Sequence, residues 1–335
     1  MKKVISVVIA ILCLSLCLGL VGCGGGPEVV IFTTYEEEKV EYYQSKLQER
    51  FPEYTIKMQN MGTGELYSKL DAEKTGISCD IVTAVEITNL ELLLSNNPEL
   101  FYDLRDYDFT KYVENAKKHT ENHTKYAIDC ILDGALIVNK NVLANAGVEI
   151  PTSYEDLLNP CYDDLISMPN PNSSGTGYCF YSGVVAKMGE TDAIEYFKTL
   201  VDRLHEQTSS GTAPLKSVIR GDVGIGVCML WQAVNSANKN ENLQVVIPDG
   251  KVPYTLYGMA VINGKETKPE VKAVFDYLYG ELNQQCFEAF NGEKLYVDQG
   301  ECQIANFPQG YSEFDMPFLY DFEYKQELLD KWGRW

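Results

Sequence analysis

Histidine is almost missing from this 335-residue chain, which holds only His119, His123 and His205. So few imidazoles leave general-base catalysis and zinc chemistry without their commonest side chain. His119 and His123 stand four apart around Glu121, yet the segment has no apolar periodicity and no clear third ligand, so it reads as a solvated polar stretch. Beyond residue 23 the cysteines do not show the paired short spacings of a zinc site. No glycine stretch runs into Gly-Lys-Ser or Gly-Lys-Thr or has the spacing of a dinucleotide fingerprint, so nucleotide chemistry has no support. Ser182, in Tyr181-Ser182-Gly183, lacks the glycine geometry of a nucleophile elbow. The chain therefore reads as a protein that is not an enzyme, with no cofactor and no metal site.

Positive charge is also scarce, at 28 Lys and Arg against 48 Asp and Glu, a net charge of −20. Such a surface excludes nucleic acid as a partner. Long apolar runs are scarcer still. The single one, residues 4–20, follows Lys2 and Lys3 and ends at Leu20-Val21-Gly22-Cys23, which resembles a bacterial lipoprotein signal. Residues 1–22 are then a signal peptide, Cys23 carries lipid, and residues 23–27, rich in glycine, form a tether. An uncleaved membrane helix is disfavoured because no stop-transfer charge follows. Loss of Lys2 and Lys3 takes the net charge from −20 to −22. The expected location is the extracytoplasmic face of the cell membrane, on a lipid anchor. Seven cysteines remain beyond Cys23, an odd number, so at least one is free or pairs outside the chain.

About 310 residues exceed one comfortable core, and two lobes are the natural expectation. Residues 28–32, 54–59 and 79–84 read as strands, each followed by a loop and an amphipathic helix; Val40, Tyr43, Leu47 and Phe51 mark the first helical stripe. Residues 98–124 are polar and aperiodic. Strands at 125–129 and 132–138 then lead to a second set of elements, with strands expected at 165–168, 223–229, 243–247 and 254–262. Helices are expected from 176 to 188, 193 to 204, 268 to 282 and 325 to 331. This order gives an α/β fold of two lobes joined by crossing strands, each a mixed sheet flanked by helices. The lobes are assigned as residues 28–128 with 251–283, and 129–250 with 284–335.

Two glycine-containing loops open helices: Gly62-Thr63-Gly64-Glu65 and Ser173-Ser174-Gly175-Thr176-Gly177. Helix amino ends offer unpaired N–H groups and partial positive charge, and glycine lets backbone approach a ligand. Plain helix capping is the competing reading for each. With Thr33-Thr34 ahead of a third helix, three such loops point to an anion nest made without lysine.

The order of these segments, together with Cys79-Asp80-Ile81-Val82, residues 221–226 and Tyr257-Gly258-Met259-Ala260-Val261-Ile262, resembles bacterial extracellular solute-binding proteins of ABC importers. The resemblance is to the group with ferric-ion, phosphonate and phosphosugar members. It implies the type II periplasmic-binding-protein fold, a small-molecule ligand held between the lobes, permease subunits as partners and a monomeric state. Ferric-binding members present adjacent tyrosines after the strand matching residues 223–227, where this chain reads Cys228-Met229-Leu230-Trp231-Gln232. A small anion, an organophosphate, phosphonate or phosphosugar, is therefore the expected cargo. Ferric ion or an iron complex is the alternative within the family, and an exported lipoprotein enzyme acting on a phosphorylated substrate the alternative outside it. The expected ligand contacts are Thr33, Thr34, Tyr35, Gly64, Glu65, Ser173, Ser174, Gly175, Thr176, Trp231 and Tyr257, with Glu86 nearby.

Overall fold

A computed structural model describes residues 26–74, 76–118, 120 and 124–334. Cys23, His119 and His123 lie outside the described residues. Three strand–helix units open the chain: β1 (Glu28–Thr33) with α1 (Glu37–Arg50), β2 (Thr55–Asn60) with α2 (Thr63–Glu73), and β3 (Ile81–Glu86) with α3 (Ile87–Asn96). A mostly irregular stretch holding α4 (Glu114–Lys117) leads to β4 (Ala127–Asn139) and α5 (Lys140–Ala146). Next come β5 (Ile166–Pro169), α6 (Gly175–Met188), α7 (Glu190–Val201), β6 (Leu204–Thr208), α8 (Ala213–Arg220), β7 (Ile225–Met229), α9 (Leu230–Ala237) and β8 (Leu243–Val246). The chain returns through β9 (Lys251–Val252) and β10 (Tyr254–Val261) to α10 (Pro269–Tyr277), a π turn (Leu278–Leu282) and α11 (Asn283–Ala289). It closes with β11 (Ser312–Glu313) and α12 (Phe322–Lys331).

The strands lie in the order β2-β1-β3-β10-β4-β7-β5-β6, with β8 also on β4. The opening three are parallel, β1 between β2 and β3, and each needs a helix to return the chain to the same end. Strand β4 belongs to both halves: residues up to Asp133 pair antiparallel with β10, and Gly134 onward pairs with β7 and β8. All 13 of its residues are buried. The sequence reading places two strands here, 125–129 and 132–138, and the structure runs one strand through the gap at Cys130-Ile131.

Two further expectations are corrected. The helix read from 193 to 204 stops at Val201, and Leu204–Thr208 forms β6, an edge strand paired to β5. Its sequence, Leu-His-Glu-Gln-Thr, is half exposed along its whole length and carries no apolar alternation to betray it. The helix read from 268 to 282 is α10 followed by the π turn, which keeps Leu278 and Leu282 in the core.

Close packing sets the crossing between the halves. The Gly134 N–H donates to the Pro253 carbonyl at 2.7 Å. A Cβ on Gly134 would lie 2.9 Å from Pro253 Cγ, and one on Gly183 of α6 only 2.2 Å from Pro253 Cβ. Apolar packing is continuous across this junction, one cluster running from Phe32 and Leu66 through Ile131 to Val227 and Phe197. Helix α12 touches both sides: Lys325 Nζ donates to Glu86 and Thr88 at 2.7 Å each, while Trp332 packs on Tyr181 and Phe197. The seven cysteines beyond Cys23 are free thiols, five of them buried. No helix among the described residues is long and apolar enough to cross a membrane.

Gly183→Ala tests the junction. Alanine favours a helix interior by ~1 kcal/mol, whereas overpacking costs about 1–3 kcal/mol and more where backbone must move. At 2.2 Å the second effect wins, so the denaturation midpoint should fall by the equivalent of about 1–2 kcal/mol. Gly64→Ala, with nothing within 4 Å, should not destabilise. A Gly183→Ala protein as stable as the parent would refute the packing.

Candidate functional site

The loops that leave β1, β2, β5 and β6, with the amino end of α9, surround a cavity of about 330 Å³. This is where the parallel strands of a mixed sheet gather the amino ends of the helices that follow them. From β1 come Thr34, Tyr35 and Glu36; from β2, Asn60, Met61, Gly62 and Thr63. The loop before α6 supplies Ser173, Ser174, Gly175 and Thr176, and the loop before α8 supplies Ser209, Ser210, Gly211 and Thr212. Gln232, Tyr257, Ala84, Cys130 and Leu132 complete the lining.

The two serine loops carry the same tetrapeptide, Ser-Ser-Gly-Thr, and they abut. A Cβ on Gly211 would lie 2.4 Å from Thr176 Oγ1 and 3.0 Å from Ser174 Oγ, so only glycine lets them meet. Ser174 caps α6, its Oγ accepting from the Gly177 N–H at 3.3 Å. The Ser210 and Thr212 hydroxyls lie 3.2 Å apart at the start of α8, whose first turn holds Pro214.

Across the cavity wall, Thr34 Oγ1 donates to the Ala84 carbonyl. Ala84 has a left-handed backbone, φ 55°, a strained state for a residue with a Cβ. It is held there by its N–H, which donates to Asp129 Oδ2 at 2.6 Å. The same oxygen accepts from Tyr35 OH at 3.2 Å. Burial pushes the Asp129 carboxyl up to about 6. Burial, reinforced by neighbouring acids, also raises the Tyr35 and Tyr257 hydroxyls, which remain phenols at neutral pH.

Among the described lining residues, Glu36 alone carries a formal charge. Lys39, one turn further along α1, is fully buried, with Nζ 4.4 Å from the Trp231 ring centroid, 5.5 Å from that of Tyr35 and 2.8 Å from Asn291 Oδ1. The described residues contain no group of three or more His, Cys, Asp or Glu able to hold a metal ion.

Of the residues expected from sequence, the structure brings Thr34, Tyr35, Ser173, Ser174, Gly175, Thr176 and Tyr257 to one cavity. Thr33 stays inside β1, its Oγ1 accepting from the Tyr35 N–H at 3.2 Å. Gly64 and Glu65 lie further into α2, and Gly62 and Thr63 take their place. Trp231 is buried between Lys39 and Phe290, and its neighbour Gln232 lines the cavity. Glu86 caps α3 and pairs with Lys325. The second serine loop was missed, although repetition of Ser-Ser-Gly-Thr was there to be read.

Residues 98–300, more than half of the chain, match the family described as bacterial extracellular solute-binding protein. The chain belongs to that family. It is the solute-binding component of an ABC importer, acts outside the cytoplasm and is not an enzyme. An uncharacterized protein of Haemophilus influenzae is 25% identical over 295 residues, 81% of this chain and 80% of its own. The periplasmic binding protein AfuA of Actinobacillus pleuropneumoniae, solved with fructose-6-phosphate, is 20% identical at a TM-score of 0.75 over 91% of this chain and 97% of its own. A periplasmic thiamin binding protein is 14% identical at a TM-score of 0.76 over 93% and 97%. These likenesses establish the two-lobed type II fold.

Buried carboxyls set a pH dependence. Burial holds Asp129 at about 6, Glu293 at about 7 and Asp133 well above its usual range. The folded chain keeps protons that the unfolded chain has released, so this stabilisation is complete below about pH 4 and lost as pH rises through 6–7. The melting temperature should therefore fall from pH 4.5 to 7. Asp129→Asn should remove a share of that slope worth on the order of 2–3 kcal/mol. A melting temperature that rises over this range, or a slope unchanged in the variant, would contradict the assignment.

Proposed function

We propose that the cavity captures a small organic phosphate or phosphonate, with a phosphosugar the best match, and delivers it to permease subunits. The observation that carries this reading is the pair of Ser-Ser-Gly-Thr loops meeting at Gly211, which heads α6 and α8 beside the amino end of α2. Backbone N–H groups and hydroxyls concentrated there suit a multi-oxygen anion without any lysine. About 330 Å³ is the size of a small-molecule site. Ferric ion is less well served. Tyr35 is tied to Asp129, Tyr257 keeps its proton, and the positions after β7 hold no tyrosine.

The remaining assignments follow from this role. Residues 28–128 with 251–283 form one lobe and 129–250 with 284–335 the other, although Cys130–Asp133 still pair with β10 of the first and Cys286 and Phe290 pack back on its Tyr43 and Leu47. The protein works as a monomer, tethered to the membrane through lipid on Cys23. Cys23→Ala should move it from the membrane fraction to the soluble extracytoplasmic fraction.

Calorimetric titration with fructose 6-phosphate, fructose, inorganic phosphate and ferric citrate tests the ligand class. The phosphate ester should bind and fructose should not. Ser174→Ala with Thr176→Ala should weaken ester binding by about 10–100-fold, the loss of one or two hydrogen bonds to a charged group. The unliganded melting temperature should fall modestly, because Ser174 caps α6 and loss of a cap costs about 1 kcal/mol. Binding of ferric citrate alone, or an ester affinity unmoved by the double variant, would reject the proposal.

A further inference from the structure

The cavity holds a second recognition group whose chemistry is opposite to that of the serine loops. Gln232, on the first turn of α9, is only 7% exposed. Its Nε2 donates to Glu36 Oε1 at 3.2 Å, joining α9 to the start of α1, and its Oε1 is buried with no hydrogen-bond partner among the described residues. A buried amide oxygen left unpaired is costly and rare in a native fold. Both residues line the cavity, where Glu36 is the only formal charge among the described lining residues. Glu36 has no structural duty as a cap: it occupies the N-cap position of α1 but its side chain makes no capping hydrogen bond. Two side chains with spare accepting capacity, one charged and one with an unpaired oxygen, thus line a cavity whose other loops supply hydroxyls and backbone N–H groups.

We infer that the ligand carries a hydrogen-bond-donating group, polyol hydroxyls or an amine, besides its anion, and that Glu36 and Gln232 Oε1 receive it. This rests on the organic-phosphate reading above and narrows it. An anion with nothing else to offer leaves Gln232 Oε1 unpaired, and a molecule with phosphates at both ends brings like charge against Glu36. The Glu36–Gln232 pair therefore selects monophosphate esters of hydroxylated or amino compounds over inorganic phosphate and bisphosphates. The selection lies in a different residue set from the anion nest, so the two are separable by mutation.

The test is titration of the full-length, detergent-solubilised protein and of its Glu36→Gln and Gln232→Met variants with fructose 6-phosphate, inorganic phosphate and fructose bisphosphate. The parent should prefer the monophosphate ester to the bisphosphate. Each variant should weaken fructose 6-phosphate by about tenfold or more while moving inorganic phosphate by less than about threefold. If both variants keep the parent affinity for fructose 6-phosphate within about twofold, or the parent binds bisphosphate equally well, the inference fails and the organic-phosphate reading stands. If the parent binds neither fructose 6-phosphate nor inorganic phosphate, that reading fails. The inference, which rests on that reading, then fails with it.

Discussion

Strand β4 is buried at all 13 positions and hydrogen-bonds to β10 along its first half and to β7 and β8 along its second, and the rest of the molecule is arranged around that double membership. A one-residue slip would reverse every side chain on both halves at once, so its register is held from two directions. The handover falls between Asp133 and Gly134, where Pro253 packs against Gly134 and Gly183. Gly183 belongs to α6, two and a half turns from the cap at Ser174. The junction thereby sets the depth at which α6 presents its amino end. Thr176 in turn sets where Gly211 and the α8 loop come to rest. The crossing between the halves and one side of the cavity are one packed unit.

What the sequence discloses follows from how local each signal is. Strands β1, β3, β7 and β10 are apolar runs and are legible, as are the helices with clean stripes such as α1. Strand β6 is polar because it sits at the sheet edge, where one side needs no apolar cover. Losing β6 also hid the loop after it, since Ser209-Ser210-Gly211-Thr212 has meaning only as the turn from a strand into a helix. Residues 173–176 could be read because Met168 and the helical stripe of α6 frame them. Trp231 and Gln232 show the opposite failure. Size and aromaticity favour Trp231 on paper, yet adjacent helical residues point about 100° apart, and the ring turns to the core while the amide turns to the cavity. Nothing in the sequence pairs Gln232 with Glu36, 196 positions away.

On the proposed reading, an acidic chain captures an anion, and its binding potential must then be local. At physiological ionic strength fields are screened within about 8 Å, so the net charge of −20 matters less at the cavity than the nearest dipoles. Those dipoles belong to the amino ends of α2, α6 and α8, reinforced by hydroxyls that carry no charge of their own. Glu36 works against them, and Lys39 tempers it. Burial disfavours the Lys39 cation, but Cys286, Glu36 and other neighbours outweigh that and raise its pKa, while the faces of Trp231 and Tyr35 lie within cation–π range. A buried cation one turn behind a cavity carboxylate softens its repulsion without offering itself to the ligand. Under the proposed function, affinity would rest on several neutral donors from separate loops rather than on one lysine. Such an arrangement would suit a delivery protein, because separating the loops would dismantle the proposed site.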